Sequence, residues 1–285
     1  MPERDPPSSA VLPGIGWAFM VTSLEKLRKL IMQFFQSDGV QLAFVDLMPE
    51  RFKGDTIILV HGFASTHRIN WVDTSWTARL LDAGFRVIAL DNRGHGQSGK
   101  LYDPEAYTPQ IMADDVIALM DHLAIRQADV MGYSMGARIT AVLACHYPER
   151  VRSALLGGLG IHLVGGNGLP PGIAEALEAR SLDDVTGTVP RMFRAFADRT
   201  GSDRRALAAC MRGSRQGVTK TDVQAIKVPV HIAVGTKDDI AGDPHALAAM
   251  IPGALAFDIE GRDHNLAVGD RTHKDAVLSF LTRRS

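Results

Sequence analysis

The chain has 285 residues, a length that suits one large α/β domain with an insertion or two small domains. Hydrophobic residues make up 46% of it and charged residues 22%, which excludes a disordered or fibrous protein. The 31 lysines and arginines nearly cancel the 32 acidic residues, so we expect a small, uncharged substrate and neither a nucleic-acid nor a membrane partner.

The N-terminal region and the cysteines bear on where the protein works. Two cysteines, Cys145 and Cys210, are too few for a disulfide framework and predict reduced thiols in the cytoplasm. Residues 10–21 are apolar but contain Pro13 and lack a small-x-small cleavage site, unlike a signal peptide. We predict that residues 1–34 form a loosely attached tail or an extra amphipathic helix, from Leu24 to Phe34.

Strands and helices alternate along most of the chain. The Asp38-Gly39 pair predicts a hairpin, and longer apolar runs without alternation predict strands that are buried on both faces. Strands are predicted at 56–60, 85–90, 129–131, 151–156, 228–234 and 254–259, and helices at 75–83, 112–123, 137–145, 244–250 and 273–281. This order predicts an α/β fold with a mostly parallel central sheet and helices on both faces, formed by residues 35–160 and 226–285.

The intervening segment, residues 161–225, has a different character. It contains no buried-strand pattern, only helical stretches at 172–180, 189–198 and 204–211, joined by links with glycine and proline. We predict a small helical cap inserted into the sheet order.

One five-residue stretch, Gly132-Tyr133-Ser134-Met135-Gly136, stands between a predicted strand and a predicted helix. A turn this sharp holds its middle residue in a strained backbone conformation, which the flanking glycines permit. The strain exposes the serine hydroxyl, and the following helix points its N–H groups at any negative charge that develops nearby. Ser134 is therefore a candidate nucleophile.

A serine hydroxyl needs an imidazole to accept its proton, and the imidazole needs a carboxylate to orient it. His264 follows the last predicted strand, and Asp238 follows the preceding one. The order serine, aspartate, histidine matches one known arrangement of this chemistry. Asp239 is adjacent and competes with Asp238 for the acid role.

Five motifs together resemble the α/β-hydrolase-fold family. They are His61-Gly62-Phe63, Asp91-x-Arg93-Gly94-x-Gly96-x-Ser98, Gly132-x-Ser134-x-Gly136, Gly235-x-x-Asp238 and Gly261-x-x-His264, and the resemblance covers about residues 36–282. It implies that Ser134 is the nucleophile, Asp238 the acid and His264 the base. It also implies an oxyanion hole formed by the backbone N–H groups of Phe63 and Met135.

Substrate contacts are less sharply indicated. Met192, Phe193 and Phe196 form an apolar patch at helical spacing, either a core of the cap or a wall of the pocket. Trp71 lines an acyl pocket or packs beside the first helix. No histidine pair or cluster of ligand residues suggests a metal ion, and we expect no cofactor.

The function that these residues favour is the hydrolysis of a carboxylic ester of a small to medium substrate through an acyl-enzyme. The same triad also supports carbon–carbon bond hydrolysis, perhydrolysis or lyase chemistry, or a ligand sensor without turnover. A serine at the turn argues against dehalogenase and epoxide-hydrolase chemistry, which use an aspartate nucleophile in the family that the chain resembles.

Overall fold

The computed structural model describes residues 31–165 and 169–283. The predicted tail, and the predicted helix up to residue 30, lie outside the described residues. The prediction that this helix extends to Phe34 is wrong, because Gln33 and Phe34 begin a strand. They pair with Phe44 and Ala43 of the next strand, so hairpin pairing determines their backbone conformation.

One eight-stranded sheet forms the centre of the described chain, with the order β1-β2-β4-β3-β5-β6-β7-β8. Its strands are β1 (Gln33–Ser37), β2 (Val40–Leu47), β3 (Thr56–Val60), β4 (Arg86–Leu90), β5 (Ala128–Tyr133), β6 (Val151–Gly157), β7 (Val230–Gly235) and β8 (Leu255–Ile259). β2 pairs antiparallel with β1 and with β4, and all other pairs are parallel. The predicted sheet is confirmed, including its antiparallel edge.

The first turn shows how the sequence determines register. Asp38 and Gly39 both have positive φ, 46° and 73°, as a two-residue hairpin turn requires. The turn pairs Ser37 with Val40 and buries Leu42 and Phe44.

The described residues contain ten α-helices, besides four short 3₁₀- or π-helical turns. They are α1 (Trp76–Asp82), α2 (Pro109–His122), α3 (Met135–His146), α4 (Ile173–Glu178), α5 (Thr188–Thr200), α6 (Arg204–Gly213), α7 (Lys220–Ala225), α8 (Pro244–Ala248), α9 (His264–Ala267) and α10 (Arg271–Arg283). Helices α2 and α3 pack against each other, with α3 on β5 and β6, whereas α1 and α10 pack together with contacts to β4, β7 and β8. Within residues 31–165 and 169–283, no helix is long and apolar enough to cross a membrane.

Between β6 and β7 the described chain contains α4 to α7 and no strand of the sheet. Helix α4 packs against α5 and α6. Helix α7 was not predicted, although the sequence carries its signal: Thr219 and Asp222 form a capping box in which each side chain accepts the other's backbone N–H. That residues 161–225 act as a cap remains a prediction.

Two histidines on the side of α10 are buried and held neutral. His231 of β7 packs between the rings of Phe257 and Phe280, and His273 contacts the ring of Trp76. Burial lowers the pKa of His231 to about 4 and that of His273 to about 3.

These histidines predict loss of stability in acid. In the unfolded chain each histidine takes up a proton near pH 6.5, whereas in the folded chain it does not. The free energy of unfolding is therefore unaffected by these groups above that pH and decreases as the pH falls towards 4. Each contributes about 1.4 kcal/mol per pH unit over that range. The free energy of unfolding, measured with denaturant at several pH values, should fall less steeply between pH 6.5 and 4.5 in His231→Leu than in the parent chain. An unchanged slope would mean that His231 is not buried and neutral.

Candidate active site

Ser134 occupies the turn between β5 and α3 with φ 54° and ψ −110°, a backbone conformation that residues other than glycine rarely adopt. The residues two positions before and after it must be glycines. A Cβ on Gly132 would overlap the carbonyl of Gly136, and a Cβ on Gly136 would overlap the carbonyl of Val60 in β3. The helix therefore begins directly against the sheet, and Ser134 lies at its first turn.

Three side chains from three strand ends meet at this turn. The Oγ of Ser134 lies 3.0 Å from Nε2 of His264, and Nδ1 of His264 lies 2.7 Å from Oδ2 of Asp238. Because parallel strands β5, β7 and β8 end at the same edge, residues 26 and 130 positions apart come into contact. The structure thus brings together all three residues predicted for the triad.

Of the two adjacent aspartates, Asp238 contacts the imidazole and Asp239 is exposed. The Asp238 side chain is fully buried, and its Oδ1 accepts the backbone N–H groups of Ile240 and Ala241 at 2.9 and 3.0 Å. These two donors fix the carboxylate, leaving Oδ2 for His264. Asp263 caps α9 by accepting from Asn265 and Leu266, and so places His264 at the start of that helix.

Tyr133 is a further residue that contacts the site, and the sequence did not reveal it. Its hydroxyl donates to the carbonyl oxygen of His264 at 2.5 Å, and its ring lies 5.5 Å from the imidazole. Burial raises the pKa of this phenol well above its ordinary value, so it remains a donor. No local pattern indicates a contact across 131 residues.

The loop after β3 lies against the turn. An ideal Cβ on Gly62 would be 3.2 Å from the carbonyl oxygen of Tyr133 and 3.5 Å from Cβ of Ser134. The Gly62 N–H donates to Oδ1 of Asn70 at 2.7 Å, and Ala64 has φ 58°. Phe63, between them, lines the same cavity as Ser134 and Met135.

Two buried histidines hold this loop. Nε2 of His61 accepts the N–H of Asn92 at 3.0 Å, and Nε2 of His95 accepts the N–H of Ala64 at 3.1 Å. Each ring therefore carries its proton on Nδ1, where it donates to a carbonyl, of Gly62 or of Arg93. Burial lowers the pKa of His61 to about 4 and that of His95 to about 3, so both stay neutral. His95 is only 2% exposed, although it lies in a loop.

A cavity of about 60 Å³ opens beside Ser134. Its lining combines apolar side chains with two arginines and two serines: Phe63, Ser134, Met135, Arg138, Leu159, Leu169, Met211, Ser214, Arg215 and Ile240. In the described part of the chain, no group of three or more histidines, cysteines and carboxylates could hold a metal ion.

None of the four residues predicted for the pocket is among those that line the cavity beside Ser134. Trp71 is fully buried and packs against Trp76, whose indole N–H donates to the carbonyl of Val268. Phe193 comes nearest the cavity, because its ring lies 5.5 Å from that of Phe63. Met192 is 39% exposed, and Phe196 lies under the guanidinium of Arg199.

Comparisons with known proteins give one family. The model of the alpha/beta hydrolase fold matches residues 55–164. The pig (Sus scrofa) bifunctional epoxide hydrolase 2 is 33% identical over 118 residues, 40% of this chain and 20% of that protein. The 3-oxoadipate enol-lactonase 2 of Acinetobacter baylyi is 29% identical over 171 residues, 54% of this chain and 62% of that protein. The match therefore spans less than two thirds of either relative.

A solved structure covers more of the chain. A hydrolase from Pseudomonas aeruginosa superposes with a TM-score of 0.70 at 26% identity, over 88% of this chain and 98% of that one. The superposition therefore covers more of the chain than the residues matched by the family model.

The role of His95 in the loop predicts a large cost for its removal. His95→Leu introduces an apolar side chain of similar size and leaves the N–H of Ala64 and the carbonyl of Arg93 without partners. Each unpaired buried group costs about 1–3 kcal/mol, so the free energy of unfolding in denaturant should fall by about 2–6 kcal/mol. The control is His122→Leu on the exposed surface of α2. Equal losses in the two variants would contradict this role.

Proposed function

Because the chain belongs to the α/β-hydrolase-fold superfamily, we propose that it is a serine hydrolase that cleaves a carboxylic ester through an acyl-enzyme. The observation that carries the proposal is the continuous contact from Ser134 through His264 to Asp238, at 3.0 and 2.7 Å. Each member has its own restraint: the strained turn, the bond from Tyr133 and the two N–H donors to Asp238.

In the first half-reaction Ser134 Oγ attacks the ester carbonyl carbon while Nε2 of His264 takes the hydroxyl proton. The tetrahedral intermediate collapses when the C–O bond to the alcohol breaks and His264 returns the proton to the departing oxygen. A water molecule then repeats the sequence on the acyl-enzyme, releasing the acid and restoring Ser134. Asp238 stabilises the imidazolium in both halves.

The developing oxyanion needs donors opposite the nucleophile. The N–H of Met135 belongs to the first turn of α3, whose positive end faces Ser134. The N–H of Phe63 belongs to the loop held by His61, Asn70 and His95. Removing one such donor in a known serine hydrolase costs about 3–4 kcal/mol of transition-state stabilisation.

The serine at the turn favours ester cleavage over epoxide opening. One relative is named as an enol-lactonase, and a lactone is a cyclic ester. Another is named as an epoxide hydrolase, but this chain has a serine at the turn where that chemistry uses an aspartate in the family.

The first test is labelling of the protein with a fluorophosphonate probe, beside turnover of 4-nitrophenyl esters from acetate to octanoate. We expect labelling and turnover in the parent chain, with loss of labelling and a fall of about 10⁴-fold in kcat for Ser134→Ala. The cavity of about 60 Å³ favours the shorter acyl groups. Ser279→Ala, on α10, is the matched control and should react normally.

Absence of labelling in a folded parent chain would overturn the serine nucleophile. Labelling without turnover of any ester would retain the nucleophile and reject ester hydrolysis in favour of carbon–carbon cleavage or ligand sensing.

A second test separates the two adjacent aspartates. In Asp238→Asn the amide N–H₂ faces Nδ1 of His264 and forces the proton onto Nε2, where the imidazole cannot accept from Ser134. We expect a fall of about 10³- to 10⁴-fold in kcat, measured with the best ester of the series. Asp239→Asn alters an exposed side chain and should stay within about threefold of the parent. The reverse order of effects would assign the acid role to Asp239.

A further inference from the structure

Arg138 is a buried cation close to the proposed nucleophile. It follows Ser134 by four residues in the first turns of α3, so both side chains point to the same side of the helix. Only 9% of the residue is exposed, and it lines the cavity together with Ser134 and Met135.

The described chain offers Arg138 no negative partner. Its Nη1 donates to the carbonyls of Leu163 and Gln216, at 3.3 and 3.2 Å, which are long contacts to neutral groups. The two other buried arginines behave differently, because Arg93 pairs with Asp115 at 2.6 Å and Arg194 with Asp198 at 2.9 Å. Within residues 31–165 and 169–283, no carboxylate forms an ion pair with Arg138.

Burying an unpaired charge is costly, and two effects increase the cost here. Burial lowers the pKa of Arg138 to about 10, a shift that no nearby carboxylate offsets. The guanidinium also lies near the positive end of α3, where the helix dipole favours anions over cations. An anion bound in the cavity would reduce both the cost of burying the charge and its repulsion by the helix dipole.

The remaining polar groups of the cavity fit the same ligand. Arg215, at the exposed side, donates to the carbonyls of Leu169 and Pro170, and Ser214 adds a hydroxyl. None of the residues that line the cavity is acidic. Planar guanidinium groups bind carboxylates with two parallel hydrogen bonds, so a carboxylate is a ligand that Arg138 is suited to bind.

We propose that Arg138 binds a carboxylate carried by the substrate, so that the enzyme prefers esters whose acyl group ends in a second, ionised carboxyl. This inference rests on the proposed role of Ser134 and narrows its substrate class. It replaces the uncharged substrate that the balanced composition suggested.

The test compares two esters of the same shape and different charge: mono-4-nitrophenyl glutarate, and 4-nitrophenyl 5-oxohexanoate, in which a methyl ketone replaces the carboxylate. We expect kcat/KM in the parent chain to be at least about tenfold higher for the glutarate ester, after subtraction of its reaction with Ser134→Ala. Arg138→Gln, which removes the charge and keeps an N–H₂ donor, should lower that ratio about 10- to 100-fold. Arg138→Lys keeps the charge without the planar fork and should give an intermediate ratio.

The matched control is Arg212→Gln, which removes an arginine that pairs with Glu178 outside the cavity and should leave the ratio unchanged. A ratio near one in the parent chain would overturn the proposal. So would equal losses on both esters in Arg138→Gln, because they would indicate a purely structural arginine.

A binding measurement separates this proposal from the hydrolase proposal. Thermal unfolding of Ser134→Ala should shift upward with millimolar monomethyl glutarate and less with methyl 5-oxohexanoate, which carries no carboxylate, and the difference should vanish in Ser134→Ala/Arg138→Gln. If the parent chain hydrolyses neither ester, ester hydrolysis fails and this difference alone decides whether a carboxylate binds. Equal shifts from the two compounds would reject Arg138 as its receptor.

Discussion

The positive φ of Ser134 is the constraint on which the rest of the site depends. It turns the chain from β5 into α3 within one residue, so Gly132 and Gly136 come too close to neighbouring backbone for any side chain. That close approach places the helix N-terminus under the serine hydroxyl. Ser134 is also hydrogen-bonded to Gly157 at the end of β6, so the strained turn is held by the sheet on either side, through β3 and β6.

Around this turn the fold holds polar groups in fixed protonation states. His61 and His95 stay neutral because they are buried, and each uses one ring nitrogen to accept and the other to donate. The Asp91 carboxylate likewise accepts from His67 and Gln97, in a turn where a Cβ on Gly96 would overlap it. The Asp-x-Arg-Gly motif therefore supports the loop that carries Phe63. This structural role explains why the motif is present without assigning it a catalytic one.

The sequence could predict what local chemistry determines. Turn glycines, the Asp38-Gly39 hairpin and the buried apolar runs each act within a few residues, and they placed Ser134, Asp238 and His264 at strand ends before any geometry was known. Contacts between distant segments carry no such signal. Tyr133 reaches His264, and His95 reaches Ala64, only after the sheet has brought the loops together. The same limit applies to the substrate pocket, because an apolar stripe such as Met192 to Phe196 does not reveal which side faces the cavity.

The net charge of the whole chain does not predict the charge that lines the cavity. The balanced composition favours a neutral ligand, yet no lining residue of the cavity beside Ser134 is acidic and two are arginines. A net charge sums over a surface on which most ions are solvated and screened, whereas a ligand interacts with the few that are buried near it. Arg138 is such an ion. Arg138 follows Ser134 by four residues. In the proposed function, the first turns of α3 therefore carry both the nucleophile and the cation that faces the cavity.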